Sequence, residues 1–258
     1  NILSLTYRSS ADYVGADEFT VNVNPNVGQR FSYKIMIEVV PKIELESDVV
    51  LSKLINPASQ TAALLVRKLE FASTVPTKFS LTVTDSVGQK ELYFSENMES
   101  EHRHLLWIFE ENATFEVELL LTDQYGFSTD PILLGNVVTE QLPADMFQIE
   151  YTSSDQLDQE PGITMLLASE KGVNAHAYSI AVDNNGDVVG VFQDEFFGFT
   201  RDGSMLFFQP PVTFIEYDPL EDQINTVVLV DTSLAMHHDL KKLPNGNFLS
   251  LDRKDRTI

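Results

Sequence analysis

Short runs of β-forming residues follow one another along the chain, and turn residues separate them. Thr114–Asp123 is the clearest run, with an apolar side chain at every second position and mostly polar side chains between. This alternation is typical of a strand with one buried face and one wet face. Helical spacing is absent from 2–48, and the later runs follow the strand pattern. The sequence therefore predicts an all-β fold.

The positions of the turn residues and of one polar stretch between these runs predict two successive structural units. In 49–142 the runs recur about every 8–12 residues with turn signals between them, which favours an antiparallel β-sandwich. The polar stretch 152–160 has the composition of a connector, so we place the boundary near residue 150. Residues 1–150 then form the sandwich region, with 1–48 as an N-terminal β-rich extension, and 151–258 form the second unit.

The chain is strongly acidic and contains no cysteine. Its 17 Lys and Arg against 39 Asp and Glu give a formal net charge of −22 at pH 7. This charge repels phosphate backbones, so nucleic acid is not expected as a partner. The absence of cysteine excludes disulfides, thiolate metal sites and cysteine nucleophiles. No stretch reaches the roughly 18 apolar residues of a membrane span, and the motifs predict no bound metal.

Two hairpins with the same turn chemistry lie about 60 residues apart, with Asn-Gly at 185–186 and again at 245–246. Asn-Gly tolerates the positive φ that a two-residue hairpin requires. Repetition of strand, turn and strand is typical of the blades of a β-propeller. In the strand that enters the second hairpin, period-two alternation places His237 and His238 on opposite faces.

Several side chains outside the hairpin strands are expected to serve packing. The only tryptophan, Trp107, is expected to fill the sandwich core. His102 and His104 belong to the same unit and are expected to be structural. The phenylalanines of 192–208 are expected to pack between blades rather than to form a binding surface.

Ten motifs in a fixed order link the two units. They are Asn56-Pro57, Ala63-Leu64, STVPT at 73–77, His104-Leu105-Leu106, TDQYG at 122–126, TEQLP at 139–143, PGITML at 161–166, DNNGDVV at 183–189, His237-His238-Asp239 and LPNGN at 243–247. In this order they resemble the bacterial arylsulfate sulfotransferases that do not use a phosphoadenosine donor. The resemblance implies an N-terminal immunoglobulin-like domain followed by a six-bladed β-propeller.

The resemblance also implies a reaction. A histidine in the propeller channel accepts a sulfuryl group from an aryl sulfate and passes it to a phenol. An imidazole nitrogen is nucleophilic at neutral pH and a phenolate is a tolerable leaving group, so a sulfohistidine divides the transfer into two easier steps. The implied partners are a small phenolic sulfate and a phenol acceptor, without a cofactor. The implied location is the periplasm or the outside of the cell.

Four residues are candidates for the site. His237 and His238 match a supporting channel histidine of an early blade, and His238 is preferred because Asp239 follows it. His176 could line the same channel, and Lys241 could contact an anionic sulfate. The alternative for the histidine pair is a structural role in capping backbone carbonyls at the strand end. For His176 and Lys241 it is simple exposure to solvent.

The length of the second unit bears on activity. A blade takes about 45–60 residues, and about 100 residues follow Glu150. We therefore expect roughly two blades, within a longer transferase, and a 258-residue chain that is inactive by itself. Free strand edges in an unclosed blade would favour a homo-oligomer. The alternative function is a non-catalytic exported binding or scaffolding module built on the same sandwich and propeller.

Overall fold

Strands account for every regular element of the residues that the computed structural model describes, which are 6–8, 10, 13–23, 29–57, 59–88, 90–142, 162–169, 177–209, 213–228 and 236–252. The strands are β1 (Gly15–Val23), β2 (Phe31–Val39), β3 (Val50–Ile55), β4 (Ala62–Thr84), β5 (Lys90–Phe94), β6 (Glu99–Leu106), β7 (Thr114–Asp123), β8 (Ile132–Val138), β9 (Thr164–Ser169), β10 (Ala177–Val182), β11 (Val188–Phe192), β12 (Glu195–Phe199), β13 (Met205–Gln209), β14 (Thr213–Asp218), β15 (Gln223–Val228), β16 (Met236–Lys242) and β17 (Phe248–Asp252). The predicted all-β class is confirmed. Among the described residues there is no helix that could cross a membrane.

The largest sheet is built around β4, which is 23 residues long. The first half of β4 pairs with β3 and β6, and its second half pairs with β5 and β7. The strand β8 extends the sheet beyond β7. All of these pairs are antiparallel. One strand therefore holds together most of the N-terminal half of the chain.

A break in pairing lets β4 change partners. Its register with β6 shifts between Ala72 and Thr77. Pro76 lies in this stretch and cannot donate a ladder hydrogen bond, so regular pairing is not available there. The Ser73 hydroxyl instead donates to the Val75 carbonyl at 2.8 Å. The irregular stretch thus separates the two halves of β4 without ending the strand.

The first core lies against both halves of β4. Alternate residues of β7 point into it, as the apolar positions of Thr114–Asp123 predict, and their burial confirms the alternation. The buried members of this core are Leu69, Phe71, Phe79, Leu81, Val83, Leu106, Phe109, Phe115, Val117, Leu119 and Leu121. Because β4 supplies five of them, the core depends on that strand.

The second half of the chain joins the same sheet through β11. Val191 of β11 pairs with Leu64 of β4, and β10 and β9 follow outward in that order. Leu65, beside this junction, is fully buried and has a φ of 69°. A leucine in the left-handed region is strained, so the packing around it must hold it there. The junction is a constrained point of the fold.

A second core lies at this junction and contains residues from both halves. Leu54, Ala63 and Val66 come from the N-terminal strands, and the remaining buried members come from β11, β13 and β14. Those members are Phe192, Met205, Phe207, Ile215 and Tyr217. The packing role predicted for the phenylalanines of 192–208 is confirmed for Phe192 and Phe207, whose ring centroids are 5.7 Å apart. Apolar burial therefore crosses the junction.

Trp107 packs against the second core, so its predicted place in the sandwich core is wrong. Its ring centroid lies 5.9 Å from that of Phe192. Gly190 makes room for the indole, since a Cβ added there would lie 2.8 Å from Trp107 Cζ3 and 2.9 Å from Val66 Cγ2. The sequence pattern could not reveal this, because the partner of the indole is far along the chain.

Ion pairs also connect the two halves. Lys68 Nζ donates to Asp222 Oδ2 at 2.7 Å, and Arg103 Nη1 lies 2.6 Å from Glu221 Oε1. The Lys68 side chain is buried, whereas the Asp222 carboxylate is largely exposed. A buried ammonium is stabilised only when it is paired. The turn between β14 and β15 is thus held against the N-terminal sheet.

The remaining strands form three smaller sheets. β12–β15 form a four-stranded antiparallel sheet in sequence order, and β16 pairs with β17. β1 and β2 form a separate hairpin within the predicted extension 1–48. A four-stranded antiparallel sheet is the unit of a propeller blade. The immunoglobulin-like and propeller assignments stay predictions, and the boundary near residue 150 lies outside the described residues.

We expect Gly190→Ala to destabilise the protein, because the new methyl group would overlap the Trp107 ring and Val66. Overpacking of this kind costs about 1–3 kcal/mol of unfolding free energy. Gly162→Ala is the matched control, since nothing lies within 4 Å of its added Cβ. Urea unfolding followed by far-UV circular dichroism measures both. Equal stability of the two variants would contradict the close packing at the junction.

Candidate functional site

The hairpin of β16 and β17 carries three of the four predicted site residues. His237 pairs with Leu251, and the next pair is Leu240 with Ser250. His238 and Asp239 therefore lie in a β-bulge, which interrupts alternation directly after His237. Strict alternation does not extend across this shift, and the placement of His237 and His238 on opposite faces stays a prediction. The structure describes their backbone only, so the channel-facing histidine stays a prediction, and His176 lies outside the described residues.

The turn of this hairpin differs from the predicted two-residue turn. The Leu243 N–H donates to the Asn247 carbonyl at 2.7 Å, and the Gly246 N–H donates to the Leu243 carbonyl at 2.9 Å. Gly246 has a φ of 83°, and Asn245 is not among the non-glycine residues with positive φ. This is a type I turn followed by a left-handed glycine. Pro244 favours it, because its fixed φ suits the second position of a type I turn.

The same geometry recurs at three other described turns, at 123–127 in the first half of the chain and at 183–187 and 200–204 in the second. Gly186 and Gly203 hold the left-handed position, with φ values of 88° and 90°. The repeat of the Asn-Gly hairpins therefore has a third copy between them, built on Asp202-Gly203. Sequence reasoning missed this copy, although Asp-Gly before the apolar run Met205–Gln209 is a signal for a hairpin.

A cleft of about 1070 Å³ lies between two of these turns. One wall comes from the end of β12 and the turn that follows it, and the other comes from the end of β16 and its turn. The residues that line it are Phe199, Thr200, Arg201, Asp202, Leu240, Lys241, Lys242, Leu243, Pro244 and Gly246. The structure thus places Lys241 in a cleft, together with an arginine that sequence reasoning did not select.

Lys242 is the paired cation of this cleft. Its Nζ donates to Asp202 Oδ2 at 3.1 Å and also to Glu216 Oε1. Hydrogen bonds from the Thr200 hydroxyl and from Lys242 lower the pKa of Asp202 to about 2. Hydrogen bonds to Glu216 and Asp202 raise the pKa of Lys242. Asp202 and Lys242 are therefore both charged at neutral pH, and the Lys242 ammonium already donates to the carboxyl groups of Asp202 and Glu216.

Arg201 and Lys241 are the cations that the cleft can offer to a ligand. Both are exposed, and neither forms an ion pair with another described residue. Phe199 lies beside them and is 52% exposed, although its ring also contacts that of Phe196 at 4.9 Å. Two unpaired cations next to an exposed aromatic ring suit a ligand that combines an anionic group with an aryl ring.

The cleft and the histidine pair occupy different parts of the hairpin. Lys241 and His238 are three residues apart in β16, which corresponds to about 10 Å along an extended strand. Lys241 lies beside the turn, whereas His237 and His238 lie at the other end of the strand. The structure therefore places Lys241 in one cleft with Arg201, at the opposite end of β16 from the backbone of His237 and His238.

Comparison with known proteins finds a family match in this part of the chain. Residues 148–258 match the family described as Arylsulfotransferase (ASST). This match supports the resemblance carried by the motifs over 148–258, a range that includes every predicted site residue. The motifs between Asn56 and Leu142 lie outside the match. No curated protein and no solved structure matches the chain in the same comparisons.

We expect Lys242→Met to lower the free energy of unfolding by about 1–3 kcal/mol, because it leaves the carboxylate of Glu216 buried without its cation. The adjacent Lys241→Met is the matched control, since Lys241 is exposed and forms no ion pair with a described residue. Thermal and urea unfolding of the two variants measure the difference. Equal losses would show that Lys242 does not anchor the hairpin.

Proposed function

We propose that the protein of which this chain is a part transfers a sulfuryl group from an aryl sulfate to a phenol. The observation that carries the proposal is the match of residues 148–258 to the arylsulfotransferase family. The geometry of the cleft supports it, because the cleft offers the two kinds of contact that an aryl sulfate needs.

The proposed chemistry proceeds through a sulfohistidine. The attacking imidazole nitrogen forms a bond to sulfur while the bond from sulfur to the phenolic oxygen breaks, and the departing phenolate takes up a proton. A second phenol then gives up its proton and attacks the same sulfur, which releases the imidazole. Splitting the transfer in this way replaces one difficult displacement by two easier ones. The transferring histidine is expected in a later blade, and His238, or His237, supports it by stabilising the charge that develops on the leaving oxygen.

Arg201, Lys241 and Phe199 have a different proposed role, which is to capture the substrate. The chain carries a formal net charge of −22, so a sulfate ester is repelled from most of its surface. Arg201 and Lys241 provide local positive charge for the sulfate group, and the exposed ring of Phe199 provides an apolar surface for the aryl group. Because Lys241 lies about 10 Å from His238 along the strand, this capture precedes transfer at the channel.

The proposed context follows the family resemblance. The partners are a small phenolic sulfate and a phenol acceptor, and the location is the periplasm or the outside of the cell. His176 is proposed to line the same channel as the histidines of β16. We propose no nucleic-acid partner, because the net charge of −22 opposes binding to phosphates. Sheet edges that no described strand covers, such as the outer edge of β17, would favour a homo-oligomer.

An assay of the full-length gene product tests the function. With a chromogenic aryl sulfate and a phenol acceptor, we expect release of the coloured phenol that depends on the acceptor, and a sulfated acceptor as the second product. Release of the phenol at a rate that does not depend on the acceptor would indicate hydrolysis instead. The absence of any turnover would favour the non-catalytic binding or scaffolding alternative.

Variants of the same full-length protein separate the proposed roles. His238→Ala should lower kcat by about 10²-fold or more if His238 stabilises developing charge, with little change in the melting temperature. Arg201→Ala and Lys241→Ala should raise KM by about three- to tenfold and leave kcat nearly unchanged, because they remove binding that is equal in ground state and transition state. Lys34→Ala, an exposed cation on β2, is the charge-matched control. Equal losses in His237→Ala and His238→Ala, with lower melting temperatures, would support a structural pair instead.

A further inference from the structure

A second group of chemically active side chains lies on β6, outside the part of the chain that matches the arylsulfotransferase family. One carboxylate oxygen of Glu99 and one ring nitrogen each of His102 and His104 lie within 4.8 Å of one another. His102 is 1% exposed, and the other two are partly buried. None of these three residues lines the candidate cleft. Any role that they have is therefore separate from substrate capture.

The neighbouring strand explains how these three side chains meet. His102 and His104 are two residues apart in β6 and share a face, whereas regular alternation would place Glu99 on the opposite face. The register shift in β4 between Ala72 and Thr77 lies opposite this part of β6, and Thr77 pairs with Glu99. The extra residues of this shift, 73–76, lie on β4, and at this irregular end of the pairing the Glu99 carboxylate comes close to the two histidine rings.

The rings of the two histidines are held by aromatic packing. The His102 ring stacks on Phe71 with a centroid distance of 4.3 Å, and the His104 ring meets the edge or face of Phe79 at 4.8 Å. Phe79 also contacts His102 at 5.4 Å. Because Phe71 and Phe79 belong to the first core, the orientation of both imidazoles is fixed by the fold and not by a ligand.

The hydrogen bonds around His102 determine where its proton lies. The Ser73 hydroxyl donates to the Val75 carbonyl at 2.8 Å, so in its 3.2 Å contact with Thr77 it accepts. Thr77 has a single hydroxyl proton, which it donates to the Ser73 oxygen in this contact. With Thr77 donating to Ser73, the hydroxyl accepts from the ring in the 3.1 Å contact between Thr77 Oγ1 and His102 Nε2. A neutral His102 then carries its proton on Nε2 and leaves the Nδ1 lone pair free. In the other tautomer Thr77 donates to Nε2, and a ring N–H donates to the Glu99 backbone carbonyl.

Two ring nitrogens form no hydrogen bond of ordinary geometry. They are Nδ1 of His102 and Nε2 of His104, and both are buried. Burial lowers the pKa of both histidines; for His102 the neighbouring His104 lowers it further, whereas a hydrogen bond to the Glu99 backbone and the charge of Glu99 raise it. Metal binds to the neutral form of an imidazole. An unpaired buried acceptor costs free energy unless something fills it.

We propose that Glu99, His102 and His104 bind a divalent transition-metal ion of the zinc class, through a carboxylate oxygen, Nδ1 of His102 and Nε2 of His104. Two imidazoles and one carboxylate form a donor set that zinc accepts, with one position left open. In a tetrahedral site with bonds of about 2.0–2.1 Å the ligand atoms lie about 3.4 Å apart. Closing the present cluster requires side-chain movements of about an ångström. Thr77 would act as a positioning residue that fixes the tautomer of His102.

Cobalt(II) and zinc(II) are the probes for this site. The 258-residue chain, freed of metal by a chelator, is titrated with Co(II), and the visible d–d absorption reports a site with nitrogen and oxygen ligands. Zn(II) is then added in competition with a chromophoric chelator to obtain its dissociation constant. We expect one equivalent of Co(II) to bind and Zn(II) to displace it.

Four variants test the assignment. Glu99→Gln and His104→Gln each remove a ligand and should weaken Zn(II) binding by at least about 100-fold, while Thr77→Val should weaken it by about 10- to 100-fold through the tautomer of His102. Glu101→Gln is the matched control, since Glu101 lies on the same strand and is exposed, and its affinity should equal that of the unchanged protein. Far-UV circular dichroism confirms that each variant is folded.

Two results would overturn the proposal. One is the absence of Co(II) or Zn(II) binding by the unchanged protein at millimolar metal. The other is binding that survives in Glu99→Gln and His104→Gln. If that surviving binding is lost when His237 and His238 are both replaced by alanine, the metal binds to β16 and not to β6.

Discussion

The pairing of β4 with strands from both halves of the chain is the interaction on which the rest of the structure depends. β4 supplies five buried residues to the first core and, through Ala63 and Val66, part of the second. Its contact with β11 at Leu64 joins the C-terminal strands to the same sheet. Burial of apolar surface is the dominant favourable term in folding, and here it is continuous across the junction. The sheet β12–β15, which carries one wall of the candidate cleft, packs on this junction through Met205, Phe207, Ile215 and Tyr217.

The candidate site inherits its shape from this support. The turn after β12 and the turn after β16 form the cleft, and Lys242 links them through Asp202 and Glu216. Because Lys242 is neutralised in this way, Arg201 and Lys241 remain as the cations that a ligand can use. The cluster on β6 follows the same logic at another place, where a register shift in β4 and the stacking of His102 on Phe71 arrange the side chains. In both places an irregularity of a strand or a turn positions the functional groups.

Local patterns made part of this predictable. The alternation in β7 identified its buried face, since period-two spacing depends only on neighbouring residues, and the order of short motifs led to the family that matches 148–258. Contacts between distant residues could not be predicted from local sequence. Neither the pairing of Val191 with Leu64 nor the packing of Trp107 over Gly190 has a local sequence signal. The bulge after His237 and the shift opposite Glu99 likewise depend on the partner strand. The position of Arg201 in a hairpin turn could have been predicted, because the Asp-Gly pair that follows it is a recognisable turn signal.

The second core makes the two halves of the chain one cooperative unit, and Trp107 allows this cooperativity to be measured directly. As the only tryptophan, it reports on the junction through its fluorescence, while far-UV circular dichroism reports on strands throughout the chain. Urea unfolding should show one transition, with the same midpoint and the same slope by both probes. A fluorescence transition at clearly lower urea, with most of the circular dichroism signal retained, would show that the halves separate before they unfold and would contradict the account.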